Sequence, residues 1–202
     1  MNIHNLYDHT QRSYARADGP PGVEVAQWAY ELDTLELLYA QMAPSVVVEI
    51  GVMAGGTLWR WIRTAVRGAT VVGIDTVQRH PVWWDWASQT EVDLGYIWGN
   101  SHEPETLEIL KSHLGDRMID FLFIDADHTE EGATKDFETY SQLVRAGGAI
   151  ALHDIIDPAP ERNQDHIRVS RLWRRLQRAG YVNREIVAHP GQPWGGIGVV
   201  YK

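Results

Sequence analysis

The sequence predicts an α/β fold, a mostly parallel sheet covered by helices on both faces and closed by an antiparallel C-terminal hairpin. Three observations carry this. Short continuous apolar runs recur at 46–50, 71–74, 119–124 and 149–152, as suits strands buried on both faces. Between them lie stretches with helical spacing of apolar residues. The last two runs, 181–188 and 197–201, are joined by a loop containing His189-Pro190-Gly191-Gln192-Pro193, long enough for a hairpin and too short for a helical crossover.

Residues 1–22 are polar and end in Asp18-Gly19-Pro20-Pro21-Gly22. They read as an arm or lid ahead of a single domain spanning 23–202. Val25, Trp28, Leu32, Leu35, Tyr39 and Met42 predict a helix over about 23–42, closed by Pro44. The strand at 46–50 is followed by a helix marked by Leu58, Trp61, Ile62, Ala65 and Val66, and then by the strand at 71–74. Next comes His80-Pro81-Val82-Trp83-Trp84-Asp85-Trp86, readable as an apolar wall for a ring-bearing substrate, as the interface of a homodimer, or as packing. A weaker strand at 95–98 precedes a helix opened by Pro104, with Leu107, Leu110 and Leu114 on one face. After the strand at 119–124, Ala133, Phe137, Tyr140 and Val144 mark another helix. The last helix carries Ile167, Leu172, Leu176 and Ala179 on one side. On the other stand Arg168, Arg171, Arg174, Arg175 and Arg178, read as a solvated face.

Composition narrows the classes. The chain has 202 residues, 44% hydrophobic and 22% charged, as expected of one ordinary globular domain. No apolar run approaches the roughly 20 residues that span a bilayer, and Met1 to Asn5 does not read as a secretory signal. A cytoplasmic protein without a membrane partner is expected. There is no cysteine, which excludes disulfides and thiolate chemistry. The formal net charge of −9 disfavours a phosphate backbone, so the expected partner is a small molecule and not nucleic acid.

In an open parallel sheet, ligands bind beyond the carboxyl ends of the strands. The first such place is Glu49-Ile50-Gly51-Val52-Met53-Ala54-Gly55-Gly56-Thr57. Gly51 permits a sharp turn, Gly55 and Gly56 allow close approach to backbone amides, and the helix that follows offers free N–H groups. Val52 and Met53 stand where a dinucleotide-binding turn would place its second glycine. The pattern instead resembles the first motif of class I S-adenosylmethionine-dependent methyltransferases. That resemblance implies a Rossmann-like three-layer sandwich with a seven-stranded sheet whose inserted last strand is antiparallel. It also implies that the turn packs against the methionine part of the cofactor. The family's ribose-binding acid matches Asp75, at the end of the second strand, and the polar pair near the adenine matches Asn100 and Ser101. A carboxylate suits the first task because it accepts protons from both ribose hydroxyls.

A second group stands at the ends of the fourth and fifth strands: Asp125, Asp127 and His128, then His153 and Asp154. Asp125 and Asp154 reach the same sheet edge, where a divalent cation accepting carboxylate oxygen fits. The arrangement resembles the metal-dependent O-methyltransferases of the catechol and macrolide-sugar types. The resemblance makes Asp125, as a residue of both the catalytic and the cofactor-binding site, a metal ligand together with Asp154. It makes His128 the general base for a substrate hydroxyl, for which its ordinary pKa near 6.5 is suited. His153 departs from the family, standing where an acidic ligand is expected; an imidazole there favours manganese, iron or zinc over magnesium. A structural role also fits these residues, with Asp127 and His128 capping the next helix and His153 and Asp154 bonding locally. The sequence thus leads to methylation of a small-molecule hydroxyl, with magnesium or manganese assistance. Its rivals are an NAD(P)-dependent oxidoreductase, an iron-dependent oxygenase and a non-catalytic cofactor-binding module.

Overall fold

The computed structural model describes residues 23–78 and 90–202. The arm at 1–22 and the tryptophan-rich segment at 80–86 lie outside the described residues.

Seven strands form one sheet: β1 (Val46–Ile50), β2 (Thr70–Asp75), β3 (Asp93–Trp98), β4 (Ile119–Ile124), β5 (Val144–Ile156), β6 (Val182–Ile186) and β7 (Gly195–Tyr201), in the order β3-β2-β1-β4-β5-β7-β6. The pairs β1–β2, β1–β4, β2–β3 and β4–β5 are parallel. Strand β7 runs antiparallel to both β5 and β6, so the hairpin read from the C-terminal loop is present and inserts its second strand into the sheet.

The helices are α1 (Ala29–Met42), α2 (Gly56–Thr64), α3 (Pro104–Leu114), α4 (Glu130–Tyr140) and α5 (Val169–Arg178). Alternate residues of each central strand serve opposite layers, as the strand period of two requires. Val46, Val48 and Ile50 of β1 pack with Leu110 of α3, Phe137 of α4 and Trp173 of α5. Val47 faces the other way, in the layer with Leu32, Leu35 and Tyr39 of α1 and Leu58 and Trp61 of α2. The apolar runs are continuous because both faces are covered.

Element boundaries differ from the sequence reading, most clearly at two elements. Helix α1 begins at Ala29, after an N-cap Trp28 with extended backbone, and not near residue 23. The residues before it cross the glycine turn: a Cβ added to Gly56 would lie 2.1 Å from the Glu24 carbonyl oxygen. Val144 opens β5 and does not close α4. The arginine face of α5 is exposed as expected, and Arg171 and Arg174 pair with Glu130 and Asp157, each at 3.2 Å.

Register brings the functional ends together. Ile50 pairs with both Ile74 and Ile124, and Ile124 pairs with Leu152. Gly51, Asp75, Asp125 and His153 therefore emerge side by side. Gly51 sits at φ +87°, and a Cβ there would meet the Asp125 carbonyl oxygen at 2.1 Å. Gly51→Ala is expected to destabilise the fold by about 2 kcal/mol or more, roughly 4–8 °C in Tm at this size. Thermal unfolding of the variant measures it, and an unchanged Tm would show that the crossing relaxes freely.

Candidate active site

Two cavities meet at this edge. The larger, about 430 Å³, is lined by Gly51, Asp75, Asn100, Ser101 and Asp125, among others. The smaller, about 240 Å³, is lined by residues including Gln27, Thr57, His153, Asp154, Arg162 and Trp194. Gly51, Met53, Asp125 and His128 belong to both.

Asp75 is held firmly. Its Oδ2 accepts the backbone N–H groups of Val52 at 2.7 Å and Met53 at 2.6 Å, and its Oδ1 accepts that of Val77 at 2.9 Å. The acid after β2 thus braces the glycine turn while facing the larger cavity. Asn100 Oδ1 accepts the His102 N–H at 2.9 Å, and the Ser101 carbonyl accepts the Tyr140 hydroxyl at 2.9 Å. Glu49 is buried behind the turn and accepts from the Thr57 hydroxyl. Gly55 is the N-cap of α2 at φ 83°. Neither Gly55 nor Gly56 lines either cavity, and Gly56 owes its lack of a side chain to the Glu24 backbone.

The polar cluster beyond β4 and β5 is tightly linked. His153 Nδ1 lies 3.0 Å from Asp125 Oδ1, and Gln27 Nε2 donates to Asp125 Oδ2 at 2.6 Å. His128 Nδ1 lies 2.9 Å from Asp154 Oδ2 and 3.9 Å from Asp125 Oδ1. Asp154 sits at φ 60°, where the pairing of β5 with β7 breaks register. Such an irregularity re-aims a side chain, and here it turns the carboxylate toward His128. Thr129, not Asp127 or His128, caps α4 by accepting from the Gly132 N–H at 3.0 Å. Asp127 accepts the Thr129 N–H at 2.9 Å.

Burial and charge oppose each other here. Burial alone would push the His153 pKa down, but Asp125, Asp154 and Glu31 surround the ring and together raise it to about 10. The bond to Asp154 raises the His128 pKa against the effect of burial. Burial pushes Asp154 up, but His153 and His128 more than offset this and hold it below the usual carboxylate range. Glu31 is fully buried, and burial raises its pKa although it accepts from Gln192 and from Gly196 N–H.

One ligand atom each from Asp125, His128 and Asp154 falls within 4.8 Å of the others, a spacing that suits one divalent cation. The donor set fits such an ion. His153 lies outside this triplet, with Nδ1 on Asp125 and a buried Nε2 that has no hydrogen-bond partner among the described residues.

A methyltransferase-domain model matches residues 48–155, more than half of the chain. The chain belongs to this methyltransferase family. The match spans β1 to β5 and contains the glycine turn, Asp75, Asp125, His128, His153 and Asp154. It bears out the resemblance to S-adenosylmethionine-dependent methyltransferases and sets aside the oxidoreductase reading. Among curated proteins, ribosomal RNA large subunit methyltransferase E of Janthinobacterium sp. (strain Marseille) is 23% identical over 179 residues, covering 84% of this chain and 73% of that protein. Among solved structures, an O-methyltransferase from Bacillus cereus in complex with SAH has a TM-score of 0.67 at 21% identity, covering 90% of this chain and 84% of that one. MycE from the mycinamycin biosynthetic pathway, in complex with Mg, SAH and mycinamycin VI, has a TM-score of 0.59 at 18% identity, covering 84% of this chain and 48% of that one. These structural likenesses are likenesses of fold. No helix among the described residues of this methyltransferase is long and apolar enough to cross a membrane.

Sequence reasoning missed Gln27 and Arg162. Gln27 was absorbed into an over-long helix, and Arg162 lies in a short 3-10 turn, Pro160–Arg162, that carries no motif. The raised His153 pKa has a consequence for stability. A His near 6.5 when unfolded and about 10 when folded contributes fully below pH 6.5, and that contribution is lost as pH climbs through 10. In chelator-treated methyltransferase, Tm is expected to fall between pH 7 and pH 10, and His153→Gln to flatten that fall. Equal slopes in the two proteins would contradict it.

Proposed function

We propose that the protein transfers the methyl group of S-adenosylmethionine to a hydroxyl of a small molecule, with His128 as general base. The observation that carries this reading is the position of His128 on the wall shared by the two cavities, paired with Asp154 of the smaller one. At about 430 Å³ the larger cavity falls in the usual range for a cofactor site. Its Asp75 carboxylate offers acceptors for ribose hydroxyls, Asn100 and Ser101 would flank the adenine, and the Gly51 turn would hold the methionine part. S-Adenosylmethionine supplies an electrophilic methyl when bound.

The residues of the chain then do the rest. Asp154 accepts from His128 Nδ1–H and so leaves the lone pair on Nε2, the tautomer a general base requires. His128 Nε2 would take the proton of an acceptor hydroxyl in the smaller cavity as that oxygen displaces the methyl carbon from the cofactor's sulfur, the O–C bond forming as the S–C bond breaks and S-adenosylhomocysteine leaves. The raised pKa keeps the transferred proton on the ring until it exchanges with solvent. Asp125, pinned by His153 and Gln27, lines both cavities and would place negative charge near a bound sulfonium. Alignment and fixed charge supply most of the acceleration in such a displacement.

Asp125 and Asp154, with His128 in reach, would hold a divalent cation such as magnesium or manganese, whose contribution is to acidify the bound hydroxyl. His128 cannot ligate through Nδ1 and keep its bond to Asp154, so its base role places the cation on the carboxylates. The arginines of α5 that pair with acids and the net charge of −9 favour a small acceptor over nucleic acid.

His128→Ala is expected to lower turnover by a factor of about 100 or more while leaving cofactor affinity within a few-fold. Methyl transfer to a panel of phenols and sugars, followed by S-adenosylhomocysteine release, measures this, and full turnover by the variant would remove the base. EDTA dialysis of the wild type is expected to reduce the same rate at least tenfold, with manganese or magnesium restoring it. An undiminished rate would leave the His128–Asp154 pair to act without a metal.

A further inference from the structure

Arg162 is out of place in a chain whose arginines are largely matched to acids. Arg60 binds Asp33 and Glu36, Arg145 binds Asp120, and Arg171 and Arg174 bind Glu130 and Asp157. Arg162 lies in the wall of the smaller cavity with His128 and Asp154 and makes no ion pair with the described residues. Its Nε donates to Gln164 Oε1 at 2.7 Å, and its guanidinium carbon lies 4.9 Å above the centre of the Trp194 ring. These two contacts fix the plane of the group. They leave Nη1 and Nη2, a two-pronged donor edge, without an acceptor among the described residues.

A half-buried guanidinium loses hydration that an anion can replace. Its parallel N–H groups match the two oxygens of a carboxylate or phosphate. Glu24, Asp125 and Asp154 in the same wall repel an anion, and the two imidazoles there, His153 and His128, lie against Asp125 and Asp154, so Arg162 is the lining cation left to receive one. We infer that the methyl acceptor carries a carboxylate or phosphate in addition to its hydroxyl, and that Arg162 binds this anion so that the hydroxyl points to His128. The inference rests on the proposed O-methyl transfer, because that reading makes the smaller cavity the acceptor site. The competing account gives Arg162 no ligand and only the task of covering the indole through a cation–π contact.

The test is calorimetric titration of the S-adenosylhomocysteine-saturated protein with 4-hydroxybenzoate, 4-hydroxyphenyl phosphate and the neutral 4-hydroxybenzyl alcohol. At least one anion is expected to bind tenfold or more tightly than the alcohol, and the stronger of the two identifies the anion as carboxylate or phosphate. Arg162→Gln is expected to reduce the preference to within twofold, and Arg162→Lys to retain part of it, with unchanged S-adenosylhomocysteine affinity showing that both variants are folded. The inference is overturned if the wild type shows no anion preference, or if the preference survives in Arg162→Gln. A preference that depends on Arg162, in a protein that transfers no methyl group to any acceptor, would uphold the anion site and sink the transfer reading instead.

Discussion

The site depends on a single steric constraint, the crossing of the Gly51 backbone against the carbonyl of Asp125. A side chain at residue 51 would lie 2.1 Å from that oxygen, so only glycine lets β1 and β4 end level with one another. The chain then turns at φ +87° and presents Val52 and Met53 N–H groups to Asp75. Three neighbouring strand ends are thereby locked into one surface by a backbone crossing and by the Asp75 carboxylate. Side chains of modest size suffice to build the cavities around it.

Charge balance is the second organising feature. Asp125 and Asp154 are drawn toward each other by strand register and by the turn at Asp154, and His153 and His128 lie against them as hydrogen-bond partners. A cluster of this kind is costly unless every charge is matched, and Glu31 adds to the field that keeps His153 charged. A divalent cation and a protonated His153 would compete for Asp125, so occupancy of the metal site and the protonation of this buried ring are linked under the proposed chemistry. Asp125 and His128 of this cluster border both cavities, which under the proposed chemistry would let one set of side chains act on cofactor and acceptor together.

Much of this was legible in the sequence. The apolar runs marked the strands because the sheet is covered on both faces, and the loop from 189 to 193 marked the hairpin because it cannot hold a crossover. Gly51, Asp75, Asn100, Ser101, Asp125, His128, His153 and Asp154 were recognisable because each comes within a few residues after an apolar run, and the register brings all eight to the two cavities. Gln27 was hidden because helical spacing of Val25 and Trp28 continued past the true start of α1. Its contact with Asp125 spans 98 positions, which no local pattern reveals. Arg162 was hidden for a related reason, since an arginine is informative only when its partners are known. Gly55 caps α2 and Gly56 accommodates the crossing segment, and neither lines a cavity.

The central claim is that the edge formed by Gly51, Asp75 and Asp125 is a nucleoside-binding site for S-adenosylmethionine. The most direct measurement is calorimetric titration of S-adenosylmethionine into the wild type and Asp75→Ala, each confirmed folded by its thermal unfolding. The account predicts one site per chain in the wild type and an affinity weakened about 100-fold or more in the variant, which loses charge-assisted ribose contacts together with the brace on the glycine turn. Equal affinity in the two proteins would contradict it.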